Sequence, residues 1–209
     1  MVLMSFTRRS FLVATGAALT AGSFHGAAFA AGAPDTRFTP RVLGNPDAKV
    51  VVEEWFSLTC IHCAHFAEQT FPQVRKNLID TGKIRYVFHD FPTDQLATLA
   101  AMVARTLPEE RYEPFCSAVL SSLDRWAYNN EADHKAELQK MAAFAGMPAE
   151  TFEKAVTDQN LLQFIMSEQS QAQDKYNIES TPTFRFNNKE QVSSALSYDD
   201  FVKYLTKAS

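Results

Sequence analysis

Two cysteines separated by two residues, Cys60-Ile61-His62-Cys63, constrain this chain more than any other feature. They sit where a strand-like run, 49–56 (KVVVEEWF), gives way to a helical pattern. Val50, Val51 and Val52 form the short continuous apolar run of a strand covered on both faces. Period-two alternation cannot place Glu53 and Glu54 both outside, so one of them is expected to point inward. From residue 64 the apolar positions 64, 67, 71, 74 and 78 make one helical stripe, with Pro72 expected to kink it. A cysteine at a helix start meets unpaired N–H groups and partial positive charge, both of which favour the thiolate of Cys60. His62 adds a second donor or a positive charge inside the loop. That arrangement suits reversible thiol–disulfide exchange, with a permanent disulfide or half of a zinc site as the competing readings. Zinc needs two further ligands. His62 and His65 are close in sequence, but no second CxxC or histidine pair has the spacing, so no metal and no cofactor is expected.

The cysteine count agrees with working chemistry. The chain has three cysteines in 209 residues, too few and too odd for a domain stapled by disulfides. Residues 1–30 read as an export signal: Arg8-Arg9-Ser10-Phe11-Leu12 precedes a mild apolar run, and Ala28-Phe29-Ala30 supplies small residues for cleavage near Ala30. The paired arginines resemble a twin-arginine signal, with an ordinary secretory signal as the plainer alternative. No later stretch has the roughly 18 continuous apolar residues of a membrane span. A soluble protein of the periplasm is expected. Loss of Arg8 and Arg9 with the signal takes the formal charge from −4 to −6, and no basic cluster suggests a nucleic-acid partner.

In order, 31–48 reads as an exposed lead-in punctuated by Gly32, Pro34, Pro40, Gly44 and Pro46. Residues 49–92 read as strand, CxxC helix and a second strand over 83–91, a βαβ unit. Residues 93–176 carry helical patterns at 96–107, 109–123, 132–145, 148–157 and 161–176, too much chain for a connection. Residues 177–209 return to strand alternation at 178–186, an Asn187-Asn188 turn, a short strand at 189–192 and a last helix. Cys116 and the aromatic residues Phe115, Trp126, Phe144 and Phe152 are assigned to the core of the helical block, and His134 to a solvated helix face.

The order βαβ, helical block, ββα resembles the DsbA family of thioredoxin-fold thiol:disulfide oxidoreductases. The likeness rests on 55–63 (WFSLTCIHC), on the insertion, and on Ser180-Thr181-Pro182-Thr183-Phe184. It implies an α/β thioredoxin fold with an inserted all-helical subdomain. It implies Cys60 as nucleophile and Cys63 as resolving thiol of a redox-active disulfide, with His62 helping to lower the Cys60 pKa. Pro182 is then the cis proline, leaving the Thr181 backbone free to pair with an extended substrate. Glu54, six residues before Cys60, matches the family's buried acid, able to accept the Cys63 proton. Arg85 is placed near Glu54, where relatives often carry lysine. Exported proteins with cysteines are the implied substrates, a membrane quinone-linked thiol oxidase (or a reductase partner) the implied redox partner, and a monomer the expected state. The sequence departs from the family at Ile61, where well-known oxidants carry proline, which leaves open a reductase or isomerase. A non-redox metal carrier or chaperone is the reading from another class.

Overall fold

The alternation of the strand-like runs is realised as a five-stranded sheet of order β1-β3-β2-β4-β5. The computed structural model describes residues 35–209, so the expected signal at 1–30 lies outside the described residues. The strands are β1 (Arg41–Gly44), β2 (Val50–Phe56), β3 (Ile84–Asp90), β4 (Thr183–Phe186) and β5 (Glu190–Ser193). β2 runs parallel to β3 and antiparallel to β4, so the strand that delivers the CxxC is central. The segment 31–48 is a partial correction: its middle is not lead-in but β1, paired antiparallel with β3, and Arg41 is buried. The strand 178–186 is shorter than its alternation suggests. Residues 178–182 form a loop containing the cis Thr181–Pro182 bond, and pairing begins at Thr183.

Parity decides what each face buries. Val52, Glu54 and Phe56 of β2 share a face with Tyr86 and Phe88 of β3 and with Phe184 and Phe186 of β4. Phe66 and Phe71 cover that face, with Phe66 against Phe184 at 4.5 Å and Phe71 against Tyr86 at 5.4 Å between ring centroids. The C-terminal helix α9 (Tyr198–Ala208), capped by Ser197, adds Phe201 5.1 Å from Phe186. On the opposite face Trp55 stacks on His89 at 4.6 Å and packs with Ile178 and Ala172.

The CxxC helix is α1 (Ile61–His65), continued through π-helical turns at Phe66–Thr70 and Arg75–Ile79 around α2 (Phe71–Val74). Pro72 cannot donate to the preceding turn, and the widened turn before it absorbs the misfit without ending the helix. The inserted block comprises α3 (Gln95–Thr106), α4 (Glu109–Leu120), α5 (Leu123–Trp126), α6 (His134–Phe144), α7 (Ala149–Thr157) and α8 (Gln159–Tyr176). Phe115, Trp126 and Phe152 are buried as expected, but Phe144 is 94% exposed, since nothing packs on its side of α6. His134 is part-buried rather than solvated, its ring 2.7 Å from the Trp126 carbonyl oxygen.

One buried carboxylate fastens the insertion to the sheet. Asp90, the last residue of β3, accepts from Arg105 Nε at 2.5 Å and from Tyr112 Oη at 2.8 Å. Arg105 also donates to the carbonyls of Arg37 and Thr39, and Arg41 donates to the Arg105 carbonyl. Removing one partner strands a buried charge, which costs about 3–5 kcal/mol. Asp90→Asn is therefore expected to lower the unfolding free energy by about that amount in urea denaturation; a loss below about 1 kcal/mol would show that the pair contributes little.

Candidate active site

β2 ends at Phe56, and Ser57-Leu58-Thr59 turns the chain so that Cys60 occupies the N-cap of α1 with extended backbone. The turn is closed by Cys60 N–H donating to the Ser57 carbonyl at 3.1 Å. Two hydroxyl contacts hold it. Thr59 Oγ1 donates to Asp94 Oδ2 at 2.5 Å, and Ser57 Oγ lies 2.9 Å from Thr93 Oγ1. Asp94 is itself the N-cap of α3, accepting from Ala97 N–H at 2.8 Å, so the helical insertion braces the turn. From the other side Tyr128 Oη donates to the Thr59 carbonyl.

All three cysteines are free thiols in the structure, and the CxxC pair is strongly unequal. Cys60 is partly exposed, whereas Cys63 is 1% exposed. In its thiol form Cys60 Sγ donates to the Thr181 carbonyl oxygen at 3.3 Å. Hydrogen bonding from the Cys63 thiol, then from the Thr181 side chain and from the Cys63 and His62 backbone N–H groups, outweighs partial burial. It lowers the Cys60 pKa to about 5. Cys63 moves the other way: burial first, then the Cys60 thiolate and Glu54, push its pKa well up. His62 acts on Cys60 through its backbone N–H, while its ring is exposed, 6.3 Å from the His65 ring.

Beneath the pair lies Glu54, 5% exposed, accepting from Tyr86 Oη at 2.7 Å. Burial raises its pKa to about 7, the Tyr86 hydrogen bond opposes that rise, and the negative charge of Cys60 adds to it. Contrary to expectation, Arg85 does not lie on the face of Glu54. Arg85 pairs with Val51 and so faces the other side of the sheet, with Glu53, whose carboxylate lies 3.3 Å from His89 and 3.9 Å from Arg185. The hydrogen-bond partner of Glu54 is Tyr86, which stands on the same face of β3 two residues before Phe88, the residue opposite Glu54; sequence reasoning missed it because only the strand register places it. Thr59, Asp94 and Tyr128 were also missed, since only the folded insertion brings them to the CxxC. Thr181 lies against Cys60, the following Pro182 is buried, and the peptide bond between them is cis. Cys116 is 4% exposed with its pKa pushed up by burial, the state of an inert core thiol. Among the described residues no group of three or more His, Cys, Asp or Glu is placed to hold a metal ion, and no helix is long and apolar enough to cross a membrane.

Residues 36–207 match a family model described as Thioredoxin. The chain is similar to the crystal structure of Wolbachia pipientis alpha-DsbA1, with 31% identity and a TM-score of 0.76, covering 81% of this chain and 90% of that one. It shares its fold with BdbD from Bacillus subtilis, with a TM-score of 0.69 at 21% identity over 81% of this chain and 92% of the other. A Rickettsia prowazekii protein provisionally named a protein-disulfide oxidoreductase is 29% identical over 168 residues, 80% of this chain. The chain spans only 60% of that relative's length.

Glu54 gives a pH signature of its own. Folded, it keeps its proton to about pH 7, whereas an unfolded glutamate releases it near 4.5. The resulting penalty on folding builds up between those values and is complete above pH 7. Glu54→Gln keeps an acceptor for Tyr86 and removes the penalty. It is expected to stabilise the reduced protein by about 2–3 kcal/mol at pH 8 and hardly at all at pH 4 in denaturant unfolding. Equal stability of the two proteins at pH 8 would mean that Glu54 ionises freely.

Proposed function

Because this chain belongs to the thioredoxin family, among its DsbA-like members, we propose that it is a thiol:disulfide oxidoreductase that oxidises cysteine pairs in exported proteins. The observation that carries the reading is the inequality of the two sulfurs. A thiolate with a pKa of about 5 stabilises the dithiol form at neutral pH relative to an ordinary thiol. At pH 7 that preference is about 3 kcal/mol, equivalent to roughly 60 mV in the oxidising direction. Both hydrogen-bonding helix N–H groups and the Thr181 side chain support it, and none of them depends on Ile61.

In the forward reaction one substrate thiolate attacks Sγ of Cys60 in the Cys60–Cys63 disulfide. The S–S bond breaks, a mixed disulfide forms at Cys60, and the electron pair leaves on Cys63. Cys63 has the raised pKa, so its thiolate takes up a proton, and protonated Glu54 is the buried acid beside it able to supply one. The second substrate thiolate then attacks the substrate sulfur of the mixed disulfide and expels Cys60 as its stabilised thiolate. The substrate loses two electrons and the enzyme pair gains them. Thr181, against Cys60 and followed by Pro182, offers the backbone with which an extended substrate pairs. The reduced pair must then pass its electrons on, a role for which a membrane quinone-linked thiol oxidase is the proposed partner. A periplasmic location is supported by the Arg8-Arg9 and Ala28-Phe29-Ala30 pattern of the leader.

Equilibration with glutathione buffers tests the direction. The Cys60–Cys63 couple is expected to have a potential less negative than about −200 mV, and a value below about −250 mV would assign the site to reduction instead. Cys60→Ser is expected to abolish exchange while leaving the unfolding midpoint within a few degrees of the parent; retained exchange would remove Cys60 from its role.

A further inference from the structure

The outer side of the inserted block carries a surface that thiol exchange does not use. Phe144, at the end of α6, leaves 94% of its area in solvent, more than any other large apolar side chain among the described residues. It lines an open groove of about 590 Å³ between α4 and α6, together with Pro114, Phe115, Ala118 and Met141. That volume lies in the range of small-molecule sites, whose usual makeup is an apolar lining with very few polar groups. α4 turns Cys116 and Leu120 toward Glu54 but Pro114 and Ala118 into this groove, so the groove is separate from the cysteine pair.

The charged group on the groove is Arg111, and it is held in place. Its Nη1 donates to the Ala145 carbonyl at 2.7 Å, where α6 ends. Gly146 follows at φ 85°, and a Cβ there would collide with the guanidinium, so a side chain at 146 would push Arg111 off this seat. Other arginines of this region have acids: Arg75 pairs with Glu113, and Arg125 lies 3.9 Å from Glu137. Among the described residues Arg111 has no acidic partner, and its remaining N–H groups make no hydrogen bond. A guanidinium fixed by one bond, with further donors free, presents the fork that takes a carboxylate.

We propose that the α4–α6 groove binds an amphipathic anion, an aliphatic chain ending in one carboxylate, with its tail along Phe115, Met141 and Phe144 and its head on Arg111. A tail laid against Phe144 removes that exposed apolar area from water, and the head supplies the charge that Arg111 lacks. An extended polypeptide fits less well, because the Ala145 carbonyl is already taken by Arg111 and two helices offer no strand edge. A second copy seated on the same surface would bring Arg111 toward its own copy about the two-fold axis, like charge against like. The inference goes beyond thiol exchange and does not depend on it.

Calorimetric titration with dodecanoate, against dodecyltrimethylammonium and acetate, all below micelle-forming concentrations, tests this. Dodecanoate is expected to bind at one site per chain with a Kd of about 1 mM or tighter, the strength ordinary for a ligand of its size. The ammonium with the same tail is expected to bind at least about tenfold more weakly, and acetate not measurably. Arg111→Gln is expected to bring the two long-chain ligands to within about twofold of each other. Ala118→Trp, which fills the groove from an exposed position, is expected to abolish binding, and Phe144→Ala to weaken it by about two- to tenfold. Thermal unfolding of each variant reports its folding, and either groove variant suffices if the other is unfolded. Equal affinity for the two long-chain ligands in wild type overturns the proposal, as does dodecanoate binding that the folded groove variants leave unchanged. Absence of saturable dodecanoate binding overturns it as well. In that case a dimer in sedimentation that Phe144→Ala dissociates assigns the groove to a second copy, and saturable binding of an amphipathic helical peptide carrying one Glu assigns it to a polypeptide.

Discussion

The site depends on a difference in environment between two sulfurs three residues apart. Cys60 stands at the first turn of a helix with donors aimed at it and solvent within reach, whereas Cys63, one turn on, is sealed in the core. Both thiols have the same intrinsic chemistry, so only placement separates a pKa of about 5 from one driven well above the ordinary value. A helix start achieves this cheaply, because its first N–H groups have no partner within the helix and the next turn points inward. Any attacking thiolate consequently has one accessible sulfur to meet.

Much of the surrounding architecture maintains that difference. The central position of β2 brings Cys60 against Thr181 on the side of β4, and places Glu54 under the pair with its hydrogen bond to Tyr86 on β3. The aromatic packing of Phe66, Phe71, Phe184 and Phe201 keeps the helix seated on the sheet and water away from Glu54. The insertion contributes twice over. It is locked to the end of β3 through Asp90, Arg105 and Tyr112, and it reaches back to the turn before Cys60 with Asp94 and Tyr128. A block that could have been only an added surface is thus part of what holds the nucleophile.

Local pattern made a large part of this legible. The strand before the CxxC, its helix, the inward turn of one of two adjacent glutamates and the run of inserted helices all follow from period-two and period-3.6 spacing, which chain chemistry imposes locally. What escaped depends on partners distant in sequence. β1 is four residues, Arg41–Gly44, directly after Pro40, and becomes a strand only because β3 offers a free edge. The loop at 178–182 alternates like a strand but finds no neighbour to pair with. Phe144 occupies a helical position indistinguishable from that of its buried neighbours, and only the packed helices reveal that nothing covers it. Arg85 and Tyr86 differ by one residue, which in a strand means opposite faces, so naming the partner of Glu54 required the register.

The thiolate absorbance of the reduced protein followed against pH addresses the inequality of the sulfurs most directly. The structure predicts that one thiolate, absent from Cys60→Ser, appears with a midpoint near pH 5, while Cys63 and Cys116 stay protonated through neutral pH. A first midpoint near that of an ordinary cysteine, about 8.5, would contradict it, since the two sulfurs would then be chemically alike despite their different surroundings.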